Sequence, residues 1–143
     1  MLVALPNCTD IIVTGYCSIR PTREQALNDL KAFIVCNGLA VTFNPLLKAQ
    51  IPAEYRSAIE ELVQRYDTTE HVIVDGKNSQ LLDELGLLDY LGQFDTIAGT
   101  PEHVSSVLQG LKDRGVSTFV INMPGHADSE NTMRQLAEIK KMT

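Results

Sequence analysis

Ser18, Gly99, Thr100 and His126 are the residues of this 143-residue chain whose types and positions suit ligand chemistry. Gly99-Thr100-Pro101-Glu102 opens a helical pattern, and the unpaired N–H groups of a helix's first turn attract a phosphate. Ser18 closes an apolar run and offers a hydroxyl to a phosphate or a ring oxygen. His126 stands in the polar loop Asn122–Asp128, the kind of segment that carries binding and catalytic side chains. Each residue also has a plainer reading. Thr100-Pro101-Glu102 is a well-built cap whose carboxylate would repel an anion. Ser18 is then a strand-end serine, and His126 an exposed loop side chain. His71 and His103 read as structural or exposed. No Ser-His-Asp order, phosphate loop or metal-ligand cluster is visible, so no catalytic residue is assigned and no metal is expected. Cys8, Cys17 and Cys36 are odd in number, lack Cys-x-x-Cys spacing and lie far along the chain from the histidines. They read as reduced thiols, and nothing near Cys17 in sequence would lower its pKa.

The elements that must position these residues are clearest between Phe94 and Val120. Thr96-Ile97-Ala98 is a short apolar strand ending at Gly99. Thr100 is an N-cap, Pro101 suits the first helical position and Glu102 favours the positive end of the helix dipole. Val104, Val107, Leu108 and Leu111 recur at helical spacing and form one buried stripe. Gly115 is a left-handed stop, and Phe119-Val120-Ile121 is an apolar run of the kind found in parallel sheets. The order is a β-α-β unit.

The same grammar extends both ways. Residues 9–19 hold Ile11, Ile12, Val13, Tyr16 and Ile19, a strand in which Gly15 marks a bulge or a close backbone approach. Thr22 and Gln25 fit a capping box for a helix running to about Cys36 and ended by Asn37-Gly38. Leu39–Phe43 reads as strand or helix, broken by Asn44-Pro45. A helix begins near Pro52 with Tyr55, Ile59, Leu62, Val63 and Tyr66 inward. His71–Val74 looks like a strand, followed by a turn at Asp75–Asn78. Ser79 caps a short helix holding Leu81 to Tyr90, weakened at Gly86, and Ser129 caps a last helix with Met133, Leu136, Ala137 and Ile139 inward. Strands alternating with helices predict an α/β domain with a parallel sheet.

Length and composition bound the rest. The chain reads as one domain, 1–143, with 44% hydrophobic residues. No stretch reads as the roughly 20 apolar residues of a membrane span, and residues 1–5 are too short for a signal-peptide core. The expected address is the cytoplasm, with no membrane partner. A net charge of -6 without a basic stripe argues against nucleic acid.

The chain resembles the C-terminal part of the bacterial-luciferase-like family, which includes the coenzyme F420-dependent reductases, such as methylenetetrahydromethanopterin reductase, and the FMN-dependent monooxygenases. Ile97-Ala98-Gly99-Thr100-Pro101-Glu102 matches that family's Ala-Gly-Thr-Pro-Glu block. Gly115-Val116 leads into a last strand as it does there, and Pro21-Thr22-Arg23-Glu24-Gln25-Ala26 is similar to an earlier helix start, so the likeness covers about residues 10–140. It implies a partial (β/α)8 TIM barrel: about three parallel strands, outer helices and a helical insertion. It also implies an oxidoreductase, whole or fragmentary, that transfers hydride or oxygen with F420 or FMN, unless so short a chain binds no cofactor. Ser18, Gly99, Thr100 and His126 would then contact the cofactor at the carboxyl ends of the strands. A full barrel takes about 250 residues, so this chain has room for only part of one. Three strands cannot close a ring, so the open edges predict a homo-oligomer or a partner chain. The alternative is a half-barrel binding or assembly module without activity of its own. A third possibility is an ordinary α/β domain that binds a small phosphorylated ligand.

Overall fold

The computed structural model describes residues 10–124 and 128–142. Three strands, β1 (Ile12–Ile19), β2 (Thr96–Gly99) and β3 (Thr118–Asn122), form one sheet. Both pairings are parallel, and the spatial order is β2-β1-β3. Between β1 and β2 come α1 (Arg23–Phe43), α2 (Pro45–Ala49), α3 (Ala53–Arg65), a 3-10 turn (Thr68–Glu70), α4 (Lys77–Glu84) and α5 (Leu88–Leu91). Helix α6 (Pro101–Asp113) joins β2 to β3, and α7 (Ser129–Met142) follows.

The α/β class, the parallel strands and the outer helices are those the sequence predicts. The strand order is a correction to the expected barrel segment. In a barrel, successive strands are neighbours, whereas here β1 separates β2 from β3. This is the order of an open, doubly wound sheet. Handedness then dictates the layers. A right-handed crossover from β1 to β2 places α1 on one face, and the return across β1 to β3 places α6 on the other. Two cores result. Leu27, Leu30, Ile34, Leu62, Leu82 and Leu91 pack with Ala98 on the α1 face, while Cys17, Ile19, Ile97, Val104 and Ile139 pack on the α6–α7 face.

The β-α-β unit forms as its residues dictate. Thr100 Oγ1 accepts from the His103 N–H at 3.4 Å with Pro101 just inside the helix. At the other end the Val116 N–H reaches Leu111 O at 3.1 Å, the Gly115 N–H reaches Lys112 O at 2.9 Å, and Gly115 has a left-handed φ of 89°. That pair of bonds is a Schellman stop. Gly15 marks a close approach: a Cβ there would lie 2.9 Å from Asp95 O.

Elsewhere the structure differs from expectation. Helix α1 does not end at Asn37-Gly38 but runs to Phe43. Asn37 is buried inside it, donating to Leu91 O at 3.1 Å and to Phe94 O at 2.7 Å. Gly38 lets the Leu62 and Leu91 side chains reach the helix backbone. His71–Val74 is not a strand but an exposed turn, with Val72 held at a φ of 54°. Ser79 lies within α4, whose N-cap is Gly76, and the expected single helix breaks into α4 and α5 at Gly86. Asp128 rather than Ser129 caps α7, its Oδ1 accepting from the Asn131 N–H at 3.1 Å.

By length and composition α1 is, among the described residues, one helix able to cross a membrane, against the expectation that no segment is. Its apolar positions Ala26, Leu27, Leu30, Ile34 and Val35 are buried in the core instead. Among the described residues, no helix covers the opposite half of the sheet on that same face. Register puts Ile12, Thr14, Thr118, Val120 and Asn122 on the α1 side, where Ile12 is 65% and Val120 46% exposed.

Candidate functional site

Parallel strands bring their carboxyl ends to one rim, where ligands of open α/β sheets bind. Register aligns Ser18 with Ala98 and Ile19 with Gly99, so the expected Ser18, Gly99 and Thr100 do meet at that rim. His126 lies outside the described residues. The first two turns of α1 and the capped start of α7 complete the rim with Arg23, Asp29, Asp128, Asn131 and Thr132.

A hydrogen-bond network organises these side chains. Ser18 is buried and donates to Asp29 Oδ2 at 2.6 Å. Arg20 Nε donates to the same oxygen at 2.6 Å and Nη2 to Asp29 Oδ1 at 3.2 Å, a two-pronged pair. Its Nη1 reaches Asp128 Oδ2 at 3.4 Å. Asp29, foremost through its hydrogen bond, shifts the Arg20 guanidinium upward, so Arg20 is a fixed cation. The Arg20 N–H also donates to Gly99 O at 3.0 Å, and Arg23 Nη1 donates to Ala98 O at 3.1 Å, tying α1 to β2. Thr132 Oγ1 accepts from the Ile19 N–H and Asn131 Nδ2 donates to Ile19 O, each at 3.3 Å, so α7 satisfies the end of β1. Beside this network a pocket of about 440 Å³ is lined by Arg20, Pro21, Gln25, Asn28 and Asp29.

Two of the three described residues, Ser18 and Thr100, already have hydrogen-bond partners. The Ser18 hydroxyl proton is committed to a carboxylate. The Thr100 oxygen caps α6, and the start of that helix already holds an anion. The Glu102 carboxylate is held below its usual range, first by its own backbone N–H and then by Thr100. Arg20 lies between the Asp29 and Asp128 carboxylates, and Arg23 adds a second guanidinium to the rim.

Sequence reasoning found the rim but missed its organising pair. Arg20 and Asp29 lie nine residues apart, on either side of a cap, and no short motif joins them. It also missed a larger cavity of about 640 Å³ at the far end of α1, lined by Thr42, Lys48, Ile51, Arg56, Ile59 and Val63 among others. Among the described residues no group of three or more His, Cys, Asp or Glu side chains could hold a metal ion.

No family model, no curated protein and no solved structure matches the chain.

Proposed function

We propose that the chain is an assembly module whose β3 edge pairs with a second copy of itself. The observation that carries this is the unprotected state of β3. Thr118–Asn122 contains no charge and no proline, the usual devices that blunt a sheet edge. Among the described residues nothing covers one face of that strand, and Val120 lies in register with Thr14 beside the exposed Ile12. The other edge, β2, is four residues long and buried. Antiparallel pairing of β3 with its copy about a two-fold axis would satisfy both sets of outward N–H and C=O groups and make one six-stranded sheet. The two copies' Val120 side chains would then come together on one face. A cytoplasmic address goes with this reading.

The test is the molar mass in solution, by light scattering on a sizing column. The wild type is expected as a dimer and Val120→Lys as a folded monomer. A wild-type monomer at all accessible concentrations, or a variant dimer as stable as the wild type, would refute the proposal. Recovery of β3 bound to a different chain instead would favour completion of a partner.

A second reading, favoured by the Ala98–Glu102 block, is a luciferase-like oxidoreductase or a fragment of one, using F420 or FMN for hydride transfer or monooxygenation. Titrating either cofactor while following its fluorescence tests this directly. Saturable quenching supports it, and unchanged emission sinks it.

A further inference from the structure

Away from the rim, three side chains that the sequence scatters come together. Cys36 projects from α1, Tyr66 ends α3 and His71 follows the 3-10 turn. Tyr66 Oη lies 2.6 Å from His71 Nδ1, and Cys36 Sγ lies 3.5 Å from Tyr66 Oη and 3.7 Å from His71 Nδ1. Cys36 and Tyr66 are half-buried and His71 is exposed, so the thiol can be reached from solvent. The geometry points to Cys36 as a peroxide-reactive thiol, activated by His71 through the Tyr66 hydroxyl.

The chemistry follows from the order of the groups. Burial, aided by the Cys36 contact, shifts the Tyr66 phenol upward. In the tautomer whose Nδ1 is unprotonated, the phenol donates to it across 2.6 Å. Nδ1 is then the acceptor, which assigns the neutral His71 proton to Nε2. The Cys36 S–H can point to Tyr66 Oη or to Ala32 O at 3.7 Å. In the first orientation its proton passes to the phenol oxygen as the phenol proton passes to Nδ1, leaving thiolate and imidazolium. The charged groups around the site are already paired. Lys77 lies 3.3 Å from Glu70 and 3.7 Å from Asp67, Arg65 is held by Glu61 and Glu84, and Lys31 by Asp83. His71 is the base within reach. With hydrogen peroxide, the thiolate sulfur attacks one oxygen, an S–O bond forms and the O–O bond breaks. The departing hydroxide takes the imidazolium proton through Tyr66 and leaves as water. Sulfur is oxidised by two electrons to a sulfenic acid, and the peroxide is reduced.

Cys17 supplies the internal contrast. It is 1% exposed, and burial pushes its thiol up to about 12. Such a thiol is inert at neutral pH.

The experiment is site-resolved mass spectrometry of the whole chain during alkylation by iodoacetamide, with each rate compared to the urea-unfolded chain at the same pH. Native Cys36 is expected to react at pH 7 about tenfold faster than unfolded Cys36, and Cys17 far slower than unfolded Cys17. His71→Asn and Tyr66→Phe, both verified as folded by circular dichroism, should bring Cys36 back to the unfolded rate. Brief exposure to hydrogen peroxide followed by dimedone should label Cys36 and spare Cys17. A native Cys36 rate at or below the unfolded rate overturns the proposal without reference to any variant. So do unchanged rates in both variants, or no dimedone adduct on Cys36.

Discussion

The two described cysteines sit in contrasting environments, Cys17 in a sealed core and Cys36 half-buried beside Tyr66 and His71. Cys17 is sealed under α6 and α7, and its thiol is raised by burial from an ordinary 9.0 to about 12. As pH climbs, the unfolded thiol ionises first, so the folded chain holds the extra proton between these values. Stability is therefore full below pH 9 and falls as pH rises from 9.0 toward 12. The slope from this group approaches about 1.4 kcal/mol per pH unit within that window. Denaturant titrations at several alkaline pH values should give a shallower decline for Cys17→Ala than for the wild type. At the rim, Asp29 accepts from buried Ser18 and holds Arg20. Asp29→Ala strands a buried hydroxyl and a half-buried cation, so a loss of about 2 kcal/mol in urea unfolding is expected. Asp29→Asn keeps an acceptor for Ser18 and should lose less. Ser18, Gly99 and Thr100 were legible as residues that meet at one end of a sheet, because strand ends and caps have local signatures. Their hydrogen-bond commitments were not, because the partner of Ser18 lies eleven residues away on a helix.

At the scale of elements, local grammar was most reliable where a whole motif is contiguous. Thr100-Pro101-Glu102 and Gly115 start and stop α6 through bonds that span three to five residues. Asn37-Gly38 shows where such grammar fails. A glycine stops a helix when the backbone turns left-handed, but it also permits close packing, and sequence alone does not separate the two. Here tertiary contact decides: Asn37 feeds two carbonyls of the segment leading into β2, and Gly38 admits Leu62 and Leu91. Gly38→Ala tests the second use. Alanine should gain about 1 kcal/mol of helix propensity. A methyl group driven into the Leu62 and Leu91 side chains should cost about 1–3 kcal/mol. The net expectation is destabilisation, read as a lower midpoint in thermal unfolding. A more stable variant would mean that the glycine has no packing role. His71–Val74 failed for the converse reason. Three β-branched residues favour extended backbone, but a buried Asn78 bonds Asp67 and Glu70 and gathers the segment into turns.

For the whole molecule, the parallel direction of the strands was readable from alternation, while their order was not. The alternation of strand and helix is common to barrels and to doubly wound sheets. What separates them is the face to which each helix returns, a property of the assembled sheet. With β1 in the middle, α1 and its followers occupy one side and α6 and α7 the other. Coverage is uneven, because the helices between β1 and β2 gather over the β2 half and leave Ile12, Thr14 and Val120 bare. The dimer expected through β3 belongs to this scale, since it follows from the imbalance of two layers rather than from any one side chain.

The central place of β1 also sets a timetable for folding. Tyr16 meets Thr96 and Ile12 meets Thr118, so each partner strand arrives about eighty or more residues later along the chain. Loop closures that long slow the search for native pairing. During synthesis, β1 waits unpaired while α1 to α5 emerge and the later helices pack back onto α1. Ribosome-bound chains halted before Thr96 would contain helices but no ladder, and the sheet would assemble only in the last third of translation.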